Sequence, residues 1–222
     1  MSRAIDRLSL PTDYAVSAAG GLPGELNNGW RAKAANTFDC EYGFSCMGYE
    51  TAGAWGAAFA RALSHPDGEV FALVGDGSYL MLNSEIYSSV LSGAKFVLVV
   101  CDNGGFAVIE RLQRNQGGAS YNNMLADSRG PGAHVRVDFA AHARSLGALA
   151  IEVSSMDELH AALQTARHAD RTTVVVTSVR ADDWTPGSAF WQIGVPEVSA
   201  RADVVAARTV HDTGLAGQRR GV

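Results

Sequence analysis

Two apolar runs, Val70-Phe71-Ala72-Leu73-Val74 and Phe96-Val97-Leu98-Val99-Val100-Cys101, each end in a short glycine-containing polar loop. The first loop is Gly75-Asp76-Gly77 and the second is Asp102-Asn103-Gly104-Gly105. Between them the spacing predicts a helix over 80–92. Strands joined by one crossover helix pair in parallel, which brings both loops to the same rim of a sheet. That rim is where open α/β sheets bind ligands. A lone Gly-Asp-Gly is also what an ordinary tight turn recruits, because both residue types tolerate turn geometry. The second loop beside it makes a ligand site worth considering.

The rest of the pattern agrees with such a sheet. Tyr14 to Ala19 reads as a strand, followed by the turn-rich stretch GGLPGE at 20–25. From Met47 to about Leu63, small and apolar residues recur at helical spacing, and SHPDG ends that helix. Residues 104–135 are the least regular part. Asp138 can cap a helix FAAHARSLGA, and Leu149–Val153 is a strand. Ser155 and Glu158 form a capping box for a helix to about Arg167, and Thr173–Val179 is a β-branched strand. A last helix is expected from Ser199 to Arg208. Strands alternating with helices predict an α/β fold, a doubly wound, mainly parallel sheet with helices on both faces. The division expected is 1–198 as one cofactor-binding domain and 199–222 as a C-terminal helix and tail. Trp184, Phe190 and Trp191 read as core or subunit-contact aromatics.

Composition narrows the function. The chain has 222 residues, 47% apolar and 18% charged, enough for one sizeable core. A net charge of -5, with Arg219-Arg220 as the one basic pair noted, argues against a nucleic-acid partner. No apolar run reaches the ~18 residues of a membrane span, and the first residues lack a signal-peptide core. A cytoplasmic protein is the default expectation. Cys40, Cys46 and Cys101 lack Cys-x-x-Cys spacing, and the six histidines are scattered. Neither pattern suggests a disulfide framework or a zinc site.

The loop chemistry suits a hard cation. An Asp carboxylate and an Asn amide oxygen on adjacent loop tips fit Mg²⁺, which takes its remaining oxygens from phosphate and water. Flanking glycines let backbone N–H groups approach phosphate oxygens, and a helix starting near Ser78 would point its positive end at them. The motif therefore predicts a diphosphate held through a metal.

Gly75-Asp76-Gly77-Ser78 closed by Asp102-Asn103 resembles the diphosphate motif of thiamine diphosphate (TPP) enzymes. That resemblance implies thiamine diphosphate and Mg²⁺ as cofactors, with Asp76, Asn103 and the Gly105 carbonyl as metal ligands. It implies cofactor contacts at Gly75, Gly77, Ser78 and Phe106 as well. EYGFSCMGYETAGAWGAA is similar to the segment that wedges a bulky residue under the cofactor. Met47 falls at the wedge, the catalytic assignment, and the backbone at Cys46 and Met47 would meet the aminopyrimidine. The Met47–Asp76 interval is about four residues longer than the family's, placed here in the loop at 64–68. Blocks such as SCMGYE and SYLMLNSE are most similar to the trihydroxycyclohexane-1,2-dione hydrolase branch. A His usual in that branch is replaced by Gly104, and the 111–135 loop diverges.

In this family a Glu that activates the pyrimidine lies on a separate domain, usually far upstream and facing the site from a neighbouring subunit. This chain begins just before the diphosphate-binding domain, so the resemblance implies a second protein chain carrying that Glu, in a hetero-oligomer. A fragment of a longer polypeptide is the other option. Glu41, Glu50 and Glu85, the nearest carboxylates here, each have an ordinary role available. The expected activity is cleavage or formation of a carbon-carbon bond next to a carbonyl. The narrow version is a cyclic 1,2-diketone hydrolase. The alternative is a carboligase or acyl transferase of the acetolactate synthase type, acting on a 2-keto acid. A Gly-Asp-Gly phosphatase would need an early Asp-x-Asp, which is absent. A scaffold keeping a relic fold would have no reason to retain Asp76 and Asn103.

Overall fold

The computed structural model describes residues 2–18, 20–132, 135–185 and 193–218. In chain order its elements are α1 (Ser2–Leu8), β1 (Tyr14–Ser17), α2 (Leu22–Gly29), β2 (Phe38–Cys40), α3 (Tyr49–Ser64) and β3 (Val70–Gly75). Next come α4 (Asp76–Met81), α5 (Ser84–Ser92), β4 (Val97–Asp102), α6 (Ala107–Asn115) and a 3-10 turn at Leu125–Asp127. The chain continues with α7 (Phe139–Ser145), β5 (Leu149–Val153), α8 (Met156–His168), β6 (Thr173–Ser178) and α9 (Ala202–Gly217). It divides into two compact units, Met1–Asn103 with His134–Arg180, and Gly104–Ala133 with Ala181–Val222.

The first unit holds a six-stranded sheet in the order β2-β1-β3-β4-β6-β5, every neighbouring pair parallel. Strand alternation sends successive side chains to opposite faces. On one face Val70, Ala72, Val74, Leu98, Val100 and Val174 pack with Ala54 and Ala58 of α3, Tyr79 of α4, Ile86 of α5, and Phe139 and Ala143 of α7. On the other, Phe71, Leu73, Val97, Val99 and Val175 pack with Ile5 of α1, Leu26 of α2, and Leu159 and Leu163 of α8. Each fully buried aliphatic or Phe side chain contributes about 1.5–3 kcal/mol of hydrophobic stabilisation. Both faces are covered, which explains why the central strands are apolar throughout rather than alternating. The fold is the doubly wound α/β sheet expected from the sequence.

Local signals differ in how well they held. Asp138 caps α7 as expected, its Oδ1 accepting the Ala141 N–H at 2.8 Å. Ser155 Oγ accepts the Glu158 N–H at 3.2 Å. The reciprocal half of that box is displaced by one residue, because Glu158 Oε2 takes the Ser154 N–H at 2.7 Å. The helix expected over 80–92 is two helices, and the first starts at Asp76 rather than near Ser78. Leu82 leaves helical geometry, with φ -148 and ψ 76, and Asn83 turns its side-chain amide to the Leu80 carbonyl at 3.3 Å. The GGLPGE stretch runs into α2 rather than a plain turn. Pro23 sits in its first turn, where a missing N–H costs nothing, and Glu25 complements the N-terminal dipole.

At the amino ends of the strands, Asp13 is fully buried. Its Oδ2 accepts the Leu10 N–H at 2.6 Å and its Oδ1 the Glu69 N–H at 2.8 Å. Arg167 adds a bidentate pair, at 3.1 Å to Oδ1 and 2.6 Å to Oδ2. Lys95 Nζ is 2.9 Å from Glu69 Oε2 and donates to the Arg167 and Ala169 carbonyls.

In the second unit, α6 occupies part of the stretch expected to be irregular, and α9 runs nine residues past Arg208. Glu110 of α6 accepts from Arg114 Nε and, at 3.2 Å, from Asn123 Nδ2. Arg201 Nε donates to the Gly117 carbonyl at 2.8 Å, where α6 ends against the start of α9. The Arg111 guanidinium lies 4.8 Å from the Trp184 ring centroid. Phe190, Trp191 and the Arg219-Arg220 pair lie outside the described residues.

Candidate cofactor site

β3 and β4 are neighbours in register, Gly75 opposite Cys101, so Asp76 and Asn103 leave adjacent strands at the same rim. Asp76 is 5% exposed and is the first residue of α4. Its Oδ1 is screened from solvent. Asn103 Oδ1 is also buried, and no described group donates a hydrogen bond to it. A buried amide oxygen left in that state is costly, about 1–3 kcal/mol, and calls for a ligand. Gly75 is extended, and a Cβ built on it would meet nothing within 4 Å, so there is open space beside the loop. Burial first, with the Asp76 charge also contributing, pushes the Cys101 thiol up to about 12. That cysteine is an inert part of the core.

The segment with Met47 reaches this loop directly. The Gly48 N–H donates to Ser78 Oγ at 2.7 Å and to Glu50 Oε2 at 3.0 Å. Ser78 Oγ donates in turn to Glu50 Oε2 at 2.9 Å. Glu50 is fully buried in the first turn of α3. Gly48 has φ 96, and a Cβ there would stand 2.7 Å from Leu82 Cβ. Only glycine allows that approach and that backbone together. Met47 is half-buried and Cys46 exposed. The preceding turn is tied by Glu41, whose Oε2 accepts the Cys46 N–H at 2.7 Å and Oε1 the Phe44 N–H at 2.8 Å. These two bonds, Cys46 first, hold the Glu41 carboxyl below its ordinary value. Tyr49 donates to Asp39 Oδ2 at 2.5 Å, and that bond with burial raises its phenol to about 12.

Seven of the nine expected site residues therefore belong to the first unit: Cys46, Met47, Gly75, Asp76, Gly77, Ser78 and Asn103. Gly105 and Phe106 belong to the second. There Gly105, at φ 146, bridges Met124, and a Cβ on it would fall 2.4 Å from the Asn123 carbonyl oxygen. The Phe106 N–H donates to that same oxygen at 2.7 Å, and Phe106 is 38% exposed at the start of α6. Glu50 is the residue that sequence reasoning underrated. A Glu two positions after a glycine turn looks like a solvated first-turn residue, and its partner Ser78 is distant in sequence.

Comparison with known proteins places this geometry. The sequence profile for the thiamine pyrophosphate enzyme, C-terminal TPP binding domain, matches residues 18–177. The chain belongs to this family. Within the TPP-enzyme family it is 38% identical over 204 residues to a 3D-(3,5/4)-trihydroxycyclohexane-1,2-dione hydrolase from Bacillus licheniformis, covering 90% of this chain and 31% of the relative. A hydrolase of the same name from Bacillus cereus is 40% identical over 198 residues, covering 86% of this chain and 30% of the relative. The chain thus spans about a third of the length of the curated relatives it matches. Among solved structures, a benzoylformate decarboxylase from Polynucleobacter necessarius superposes with a TM-score of 0.72 at 20% identity, over 83% of this chain and 33% of that one. A 4-hydroxybenzoylformate decarboxylase from Rhodococcus jostii gives 0.68 at 17% identity, over 81% of this chain and 32% of that one. At such identity these two share the fold. Among the described residues no cluster of three or more His, Cys, Asp or Glu could hold a metal, and no helix is long and apolar enough to cross a membrane.

Proposed function

We propose that this chain is the diphosphate-binding part of a thiamine diphosphate-dependent enzyme that breaks or forms a carbon-carbon bond beside a carbonyl. The observation that carries this reading is the buried Asn103 Oδ1, without a hydrogen-bond donor, at the strand end next to Asp76. A set of one carboxylate and one amide oxygen fits Mg²⁺, which relies on oxygen ligands and fills the remainder with phosphate and water. A cluster of His, Cys and carboxylates is not what such an ion needs. In this reading Asp76 and Asn103 hold the ion, and the open backbone at Gly75, with Gly77 after it, faces the diphosphate. The Ser78 hydroxyl hydrogen is directed to Glu50, so its diphosphate contact falls to the backbone N–H. Met47 bears on the cofactor rings from the half-buried turn before α3.

The chemistry supplied by bound thiamine diphosphate is a nucleophilic carbon and an electron sink. The described residues of this chain bind and orient it. The carboxyl that activates the pyrimidine is assigned to another domain, on a partner chain in a cytoplasmic hetero-oligomer or else in a longer polypeptide. The names of the similar proteins favour hydrolysis of a cyclic 1,2-diketone. The Gly104 found where the hydrolase branch usually has His favours the carboligase alternative with a 2-keto acid. Pyruvate as donor separates these: acyloin or acetolactate as product supports carboligation, and opening of the diketone ring without them supports hydrolysis.

Binding is tested by the melting temperature of the chain, alone and with its complementary domain, in Mg²⁺ and thiamine diphosphate. At a hundredfold excess over Kd the folded state gains about 2.7 kcal/mol. Asp76→Ala should abolish the shift, whereas Met47→Ala should leave Mg²⁺ affinity nearly intact and lower turnover. Absence of any shift for the wild-type complex would refute the proposal.

A further inference from the structure

Glu50 is a fully buried carboxyl in the first unit, and its Oε2 receives two donors from two different segments. One donor is the Gly48 N–H, directly after Met47; the other is the Ser78 hydroxyl, two residues after Asp76. The Gly48 N–H also reaches Ser78 Oγ, so the three groups close a triangle of hydrogen bonds at 2.7, 2.9 and 3.0 Å. We infer that Glu50 is a positioning residue that fixes the Met47 turn against the Gly75–Ser78 loop, setting the place of the wedge relative to the diphosphate. The inference rests on the thiamine diphosphate reading and deepens it.

Three observations support the assignment. Burying a carboxyl is costly unless its bonds are satisfied, so its presence between these two segments needs a structural return. The contact links positions far apart in the chain, and hydrogen-bond geometry is far stricter than apolar packing, so it sets a spacing rather than merely filling a volume. The same turn is pinned on its other side by the close approach of Gly48 to Leu82, at the junction between α4 and α5. Both anchors bear on Gly48, directly after Met47, and so restrict where Met47 lies relative to Asp76. Loss of the Glu50 carboxylate leaves the Gly48 N–H on a Ser78 hydroxyl that has lost its own acceptor, beside the Leu82 contact, while Asp76, Asn103 and the open Gly75 backbone keep their places.

The test compares two ligands that share the diphosphate and differ in the rings. Mg²⁺–thiamine diphosphate and Mg²⁺–pyrophosphate are titrated calorimetrically into the wild-type chain and into Glu50→Ala, with unliganded melting temperatures recorded. Glu50→Ala should weaken the full cofactor tenfold or more and pyrophosphate less than threefold. Glu50→Gln, whose amide oxygen can accept the same two bonds, should restore the wild-type ratio. If Glu50→Ala does not fold, Glu50→Asp replaces it, since the shorter side chain keeps the carboxyl but cannot span the gap. An unchanged ratio overturns the inference, whether both affinities hold or both fall together with the melting temperature. Failure of the wild-type chain, with its complementary domain present, to bind either ligand overturns the cofactor reading itself, and the inference with it.

Discussion

Replacing Asp13 by Ala removes the acceptor at the centre of the bonds that tie β1, β3 and α8 together. Two backbone N–H groups, of Leu10 and Glu69, lose their partner, and the Arg167 guanidinium loses both bonds of a bidentate pair. Arg167 keeps the Leu8 carbonyl at 3.1 Å and its place over the Phe71 ring at 5.6 Å, so it stays largely sequestered with only the weaker attraction of Glu69 facing its charge. Breaking one side of a buried pair costs about 3–5 kcal/mol, and most of that is the stranded partner. Urea unfolding with a slope of about 2–3 kcal/mol/M should therefore show the midpoint falling by about 1 to 2.5 M at unchanged slope. Arg167→Ala and the double variant complete a cycle, with an expected coupling of about 1–3 kcal/mol. The Asp13–Arg167 bond also holds the guanidinium more basic than usual. A loss below about 1 kcal/mol for Asp13→Ala, or a coupling indistinguishable from zero, would refute the reasoning that this network anchors the sheet.

Gly48→Ala should destabilise by about 1–3 kcal/mol, through a strained left-handed backbone and the contact with Leu82, measured as a fall in melting temperature; an unchanged value would mean the turn relaxes freely. Glu41 has a folded-state pKa below its ordinary 4.5, so its stabilisation is complete above that value and is lost as pH falls through the lowered one. Amide exchange at Phe44 and Cys46, corrected for intrinsic rates, should rise in that acid window, and Glu41→Gln should reproduce the rise at neutral pH. A disulfide reagent at pH 8 should label exposed Cys46 first and Cys40, whose thiol is raised mainly by burial, more slowly. Cys101 should react only on unfolding, and Mg²⁺–thiamine diphosphate should protect Cys46 if the Met47 turn meets the cofactor.

Much of the sheet was legible because its signals are local. Val70–Gly75 and Val97–Asp102 are apolar runs bounded by polar loops, and Asp138 lies at the N-cap of α7, where its chemistry acts over three residues. β2 was invisible, since Phe38–Cys40 spans three residues and takes its identity from pairing with β1. The break at Leu82 and Asn83 interrupts a stretch whose apolar spacing continues on both sides, and spacing alone does not register one non-helical backbone. α6 was hidden among glycines and asparagines that follow it. The placement of Asp76 and Asn103 at one rim was legible from strand ends alone, because parallel pairing fixes where adjacent strands emerge. The burial of Glu50 was not, because burial of a carboxyl depends on which distant hydroxyl comes to meet it.

The Asp13–Arg167 cluster and the Asp76–Asn103 loops cap opposite ends of the same strands. Six residues of β3 separate Glu69 from Asp76, a span of about 20 Å at the ~3.3 Å rise of a strand. Changes that far apart combine additively. A protein engineer can therefore reinforce the bottom of the sheet to offset the losses incurred while reshaping the top. Tolerance for new loop sequences at the carboxyl ends is set in part by the bonds at the amino ends.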